Sequence, residues 1–186
     1  MAARYSARMA RNQSLPDIWL ISDERNDAVL ESALRGLPRG SGFIYRHYHL
    51  DDPNRWDRFR TLCRVARACD HTVILADSAL TATEWGADGI YGSPRSLCPR
   101  RRDMLHLATA HNLAEIGIAN RLGADAVLLS PVFPTTSHPG DKVLGPAQFR
   151  LLAEHSQVPV IALGGMSTER AWSLKWPRWA AIDGLS

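Results

Sequence analysis

The sequence predicts an α/β protein, a single TIM-type (β/α)8 barrel, and three observations carry that expectation. Its 186 residues suit one domain with short extensions. From Asp17 onward eight short apolar runs alternate with amphipathic stretches, and continuous apolar runs are the mark of parallel strands buried on both faces. The connector Gly86-Ala87-Asp88-Gly89-Ile90 returns as Gly123-Ala124-Asp125-Ala126-Val127, a helix-ending glycine followed by a turn into a strand. An open doubly wound sheet rarely needs eight regular repeats.

The first fourteen residues carry Arg4, Arg8 and Arg11, no acid, and none of the apolar centre of a secretory signal. Residues 1–15 therefore read as a flexible N-terminal arm ahead of a barrel domain over 16–186. Strands are expected at 18–22, 42–46, 72–76, 89–92, 107–111, 126–131, 158–164 and 179–183. Helices are expected between them at 27–37, 54–69, 79–85, 113–122, 146–155 and 168–174. The barrel is expected to be truncated after strand 8, without the eighth helix of a full (β/α)8 barrel. A second copy of the chain, as a homodimer, or the N-terminal arm is expected to cover the bare side of that strand. Trp172, Trp176 and Trp179 read as core and interface.

Composition excludes several classes. The chain is 45% hydrophobic and 22% charged, the balance of a globule able to bury a core. A net charge of +3 is too small for a nucleic-acid footprint, and Arg100-Arg101-Arg102 reads as a solvated helix face. No apolar run reaches the roughly 18 residues of a membrane span. Lys142 and Lys175 are the only lysines, so Schiff-base chemistry has two candidates. Cys63, Cys69 and Cys98 form no CxxC pair and fit reduced cytoplasmic thiols.

Barrel chemistry sits at the C-terminal ends of the strands. That rim holds Ser22-Asp23-Glu24, Arg46-His47, Asp77-Ser78, Ser93, His111-Asn112, the segment from Ser130 to Asp141, Gly164-Gly165 and Asp183-Gly184. Gly164-Gly165-Met166-Ser167 follows a buried strand and opens a helix. Glycines there let backbone N–H groups approach an anion, and the helix dipole favours it. With Gly184 and Ser186 after strand eight, and Thr135 or Ser137 reaching over, a phosphate cup is expected.

The stretch Gly123-Ala124-Asp125 through Ser130-Pro131-Val132-Phe133-Pro134-Thr135-Thr136-Ser137 resembles the thiamine-phosphate synthase and thiazole tautomerase (TenI-like) family, with its GAD…GPVFPTxTK pattern. Similarity extends to Ile18-Trp19-Leu20-Ile21-Ser22-Asp23-Glu24 and to Val160-Ile161-Ala162-Leu163-Gly164-Gly165-Met166, so it covers nearly everything after Pro16. For a synthase the resemblance implies joining a pyrimidine diphosphate to a thiazole phosphate with Mg²⁺. For a tautomerase it implies a histidine, here His111, moving a proton on the thiazole with no metal required.

Departures from the family cluster on the pyrophosphate side. The family's Gln-x-Arg-x-Lys reads Ile44-Tyr45-Arg46-His47-Tyr48 here, keeping only Arg46. Its Asn-Asp pair reads Ala76-Asp77, which keeps one potential metal carboxylate; a helix N-cap is the other reading of Asp77. No acid stands in Ser93-Pro94-Arg95-Ser96, and the loop lysine falls at His138, with Lys142 a few residues on. Mg²⁺ is held by one or two carboxylates plus phosphates, so Asp77 alone just suffices. Each lost stabiliser of a developing charge costs about 3 kcal/mol. The expectation is a cytoplasmic, tautomerase-like barrel binding a phosphorylated thiazole. A Mg²⁺-dependent synthase and a non-catalytic phosphometabolite-binding protein are the alternatives; neither nucleic acid nor membrane is expected as a partner.

Overall fold

A computed structural model describes residues 15–135 and 142–185. Eight parallel strands close in sequence order: β1 (Ile18–Ile21), β2 (Gly42–Tyr45), β3 (Thr72–Leu75), β4 (Gly89–Gly92), β5 (Leu105–Ala110), β6 (Ala126–Leu129), β7 (Val160–Ala162) and β8 (Trp179–Ala181). The seam is the β8–β1 pairing, Ile18 beside Trp179. Outside the strands lie α1 (Leu30–Gly36), α2 (Asp52–Ala68), α3 (Ala79–Trp85), α4 (Leu113–Leu122), α5 (Gly145–Ala153) and α6 (Thr168–Leu174). The expected barrel is the observed one. The expected arm, apart from Leu15, and the sites Ser137, His138 and Ser186 lie outside the described residues.

Alternation along each strand divides the core in two. Trp19, Ile21, Ile44, Ile74, Leu107, Leu128 and Ile161 fill the barrel interior. The other strand face packs on the helices, as with Phe59, Leu62 and Ala66 of α2. Gly42 shows how tightly the interior is filled. A Cβ there would stand 2.1 Å from the Trp19 ring, so the strand beside Trp19 has to give up its side chain.

The repeated Gly-Ala-Asp connector has a structural explanation. Gly86 and Gly123 end α3 and α4 in the left-handed conformation, φ +75° and +68°. The aspartate two residues on then spans to the neighbouring strand: Asp88 accepts from the Val73 N–H at 2.9 Å, Asp125 from the His106 N–H at 2.7 Å. Arg67 and Arg100 pair with the same two carboxylates.

Three details differ from the sequence reading. The first helical segment begins earlier, as a 3-10 turn over Glu24–Val29, because Asp23 and Asn26 cap it reciprocally. The buried Asn26 amide also donates to the carbonyls of Ile21 and Ile182, fastening the end of β1 to the segment after β8. Strand β5 begins at Leu105, since Asp88 and Asp125 already pair its first two N–H groups. Arg100, Arg101 and Arg102 lie in the turns that join β4 to β5, not on a helix, and Arg101 pairs with Asp103.

Of the three tryptophans, Trp179 is core, Trp176 donates to the Val160 carbonyl, and Trp172 is 80% exposed. Trp172 borders a cavity of about 640 Å³ shared with Ile18, Ala33, Leu37, Ala171 and Trp179, between α1 and α6. Among the described residues no helix is long and apolar enough to cross a membrane.

Candidate active site at the barrel mouth

The loops after β6, β7 and β8 come together through their backbones. Val132 and Phe133 donate to the carbonyls of Leu163 and Gly164 at 2.9 and 3.0 Å. Gly164 and Gly165 take φ of +94° and +60°, which L side chains resist. Space excludes a Cβ as well: it would lie 2.6 Å from the Pro131 Cα at Gly164, 2.3 Å from the Pro134 carbonyl at Gly165, and 2.2 Å from the Met166 carbonyl at Gly184. The result is one cavity of about 400 Å³ lined by Thr135, Gly164, Gly165, Gly184 and Arg170. Among the described residues none accepts from the N–H of Gly164 or Gly165. Four of the residues expected to form the phosphate cup therefore converge.

Arg170 is the cup residue that sequence reasoning missed. It stands on α6, whose first turn Ser167 caps through the Arg170 N–H. Its guanidinium donates to the Gly165 carbonyl and lies 5.2 Å from the Phe133 ring centre, binding the β7 loop to the β6 loop. An arginine three residues past a capping serine was the available signal.

His111 follows β5 directly and is 55% exposed. Its Nδ1 lies 2.9 Å from Glu115 Oε2, which also accepts the His111 N–H at 2.7 Å. Asn112 caps α4 through the Glu115 N–H, so Asn112-Leu113-Ala114-Glu115 is a cap motif that also grips His111. Burial pushes the Glu115 carboxyl up, but the hydrogen bonds from His111 and Asn112 outweigh it and hold the group below its ordinary range. With the carboxylate as acceptor, a neutral His111 ring would carry its proton on Nδ1 and its lone pair on Nε2. His111 is not among the residues lining the glycine cavity. Lys142 is exposed on the approach to α5 and does not line it either.

The ends of β1, β2 and β3 are knitted by side chains instead. Arg46 pairs with Asp23 at 3.0 Å, lies over Tyr48, and has a buried Nε with no acceptor among the described residues. Arg25 takes the other oxygen of Asp23 at 2.8 Å. Burial raises the Asp23 carboxyl, and the two arginines bring it below its usual value. Arg55 is nearly buried and pairs with Asp77 at 2.6 Å, while donating to the carbonyls of Arg46 and Ala76. Asp77 is thus not the cap of α3; Ser78 takes that role, because Asp77 turns to Arg55. Beneath them lies His47, fully buried at φ +43°, 2.8 Å from Ser22 Oγ and 2.7 Å from Asp27. Arg58 joins Asp27 to Glu31. No local pattern marks the pairs Arg46–Asp23, His47–Asp27 and Arg55–Asp77, whose members stand 20 or more residues apart.

Comparison with known proteins agrees with this fold. A family model described as thiamine monophosphate synthase matches residues 18–182. The putative thiamine-phosphate synthase 2 of Aquifex aeolicus is 25% identical over 164 residues, covering 84% of this chain and 88% of that protein. The thiamine-phosphate synthase of Pyrococcus furiosus is 26% identical over 164 residues, covering 83% and 77%. In fold, the chain resembles the solved thiamine phosphate pyrophosphorylase from Pyrococcus furiosus, with a TM-score of 0.73 at 23% identity over 89% of this chain and 85% of that one. The chain belongs to the thiamine-phosphate synthase (TenI-like) family of barrels.

Proposed function

We propose that this barrel binds a phosphorylated thiazole, with the phosphate in the cup of Gly164, Gly165 and Gly184, and that His111 moves a proton on the ring. The observation that carries the first half is the single cavity those glycines share with Thr135 and Arg170. Backbone N–H groups and a guanidinium are the donors a phosphate monoester needs. The second half is supported by the His111–Glu115 pair. A neutral imidazole with a free Nε2 lone pair accepts a proton from one ring position and returns it to another, so no atom is lost and no redox partner is needed.

The names of the relatives favour a second reading, a synthase that joins a pyrimidine diphosphate to the thiazole phosphate. That reaction calls on the β1–β3 side, where Asp77 and Arg46 stand, and in the family on Mg²⁺. The two readings separate in one pair of assays with purified protein. Isomerisation of the thiazole phosphate alone, without Mg²⁺, is expected. Thiamine phosphate formation at a comparable rate would replace the first reading by the second. Binding with neither turnover would leave a phosphometabolite-binding protein.

A further inference from the structure

We infer that the β1–β3 side of the mouth is closed to a divalent cation, and that arginine supplies there the positive charge the cation would bring. The inference rests on the mouth being the ligand site, as proposed above.

Both carboxylates that could serve are committed. Asp77 gives one oxygen to Arg55 at 2.6 Å and the other to the Ser78 N–H at 2.6 Å. Asp23 gives one oxygen to Arg25 and the other to Arg46. After β4 the segment Ser93-Pro94-Arg95-Ser96 offers no acid. Glu24 and His49 border a small cavity with Asp23 and Arg46, yet among the described residues no three His, Cys, Asp or Glu side chains converge enough to hold an ion. Mg²⁺ asks for strict octahedral geometry and gives up its water reluctantly, so it needs uncompensated negative oxygen. A carboxylate neutralised by a guanidinium offers little.

Arg55 cannot step aside. Its Nε and Nη2 are spent on the Arg46 and Ala76 carbonyls, and its guanidinium lies within 6 Å of the rings of Tyr45, Tyr48 and Trp85. Releasing Asp77 to a metal would leave a nearly buried cation without its partner, a strongly unfavourable exchange. Arg46, one strand end away, keeps a buried Nε–H with no acceptor among the described residues.

The test titrates the full chain with Mn²⁺, read by electron paramagnetic resonance, for the parent protein, Asp77→Asn, Asp23→Asn and Arg55→Met. The parent is expected to show no bound Mn²⁺ at Kd below about 1 mM. Arg55→Met, which frees Asp77, is expected to bind at least about tenfold more tightly than the parent. A parent site tighter than that limit and abolished by Asp77→Asn would overturn the inference. So would a folded Arg55→Met protein that still takes no Mn²⁺. Binding that survives Asp77→Asn but is abolished by Asp23→Asn would overturn it equally, since Asp23 lines the same side. If Arg55→Met does not fold, the parent, Asp77→Asn and Asp23→Asn still decide. Separately, failure of inorganic phosphate to bind at the glycine cup would sink the proposed function without touching this result.

Discussion

The two sides of the barrel mouth handle charge by different means. After β6, β7 and β8 the chain removes side chains: three glycines let loops pass closely around the cavity, and the N–H groups of Gly164 and Gly165 find no backbone acceptor among the described residues. After β1, β2 and β3 it adds them: Arg25, Arg46, Arg55 and Arg58 each hold a carboxylate. The first construction leaves its donors open to a ligand, and the second consumes most of its charges internally. Anion recognition by backbone needs no counter-ion, whereas a cluster of side-chain ions is quenched by its own partners.

Perturbing each side in turn should keep these roles apart, and the largest effect is expected at His111, which belongs to neither. Replacing it in His111→Ala should slow thiazole isomerisation by about 10²- to 10⁴-fold while phosphate affinity stays nearly unchanged. Isomerisation at the parental rate would remove His111 from the proposal.

Next comes Gly165→Ala. Backbone at φ +60° and a Cβ 2.3 Å from the Pro134 carbonyl force the loop to move. Strain of about 1–3 kcal/mol is expected, with at least about tenfold weaker phosphate binding by calorimetry. Unaltered binding would mean that the backbone cup is not the anion site.

Arg55→Ala should do the reverse. Losing one member of a partly buried pair is expected to cost about 1–3 kcal/mol in denaturant unfolding, since Asp77 remains partly solvated. Phosphate affinity at the cup should stay within about twofold. A large loss of affinity would show that the two sides are coupled.

The smallest effect is a pH dependence from His47. Burial pushes its imidazole below 6.5, against the pull of Asp27. The unfolded chain takes up a proton near 6.5 that the folded one refuses, so this contribution is full above that pH and declines as pH falls below it. Asp23, Asp27 and Asp77, all lowered from 3.8, add their own loss at more acid pH. Thermal unfolding of His47→Gln should vary less between about pH 7.5 and 5.5 than the parent does; an equal slope would assign it elsewhere.

The sequence by itself determined the barrel, because period and turn chemistry are local. Continuous apolar runs such as Ala126–Leu129 state their burial outright, and Gly86 and Gly123 mark where helices end. The glycine cup was legible for the same reason: Gly164 and Gly165 encode a backbone conformation that needs no distant partner to be recognised. Glu115, four residues from His111 behind a capping Asn112, was written there too and could have been read from the cap motif. Tertiary structure alone decided the other side. Arg55 meets Asp77, Arg46 meets Asp23, and His47 meets both Ser22 and Asp27 only because β1, β2 and β3 lie side by side. A long cation carries no local signature of the carboxylate it will find, since its reach spans several candidates and strand neighbourhood selects among them. The same neighbourhood of strands made Asp77 the partner of Arg55.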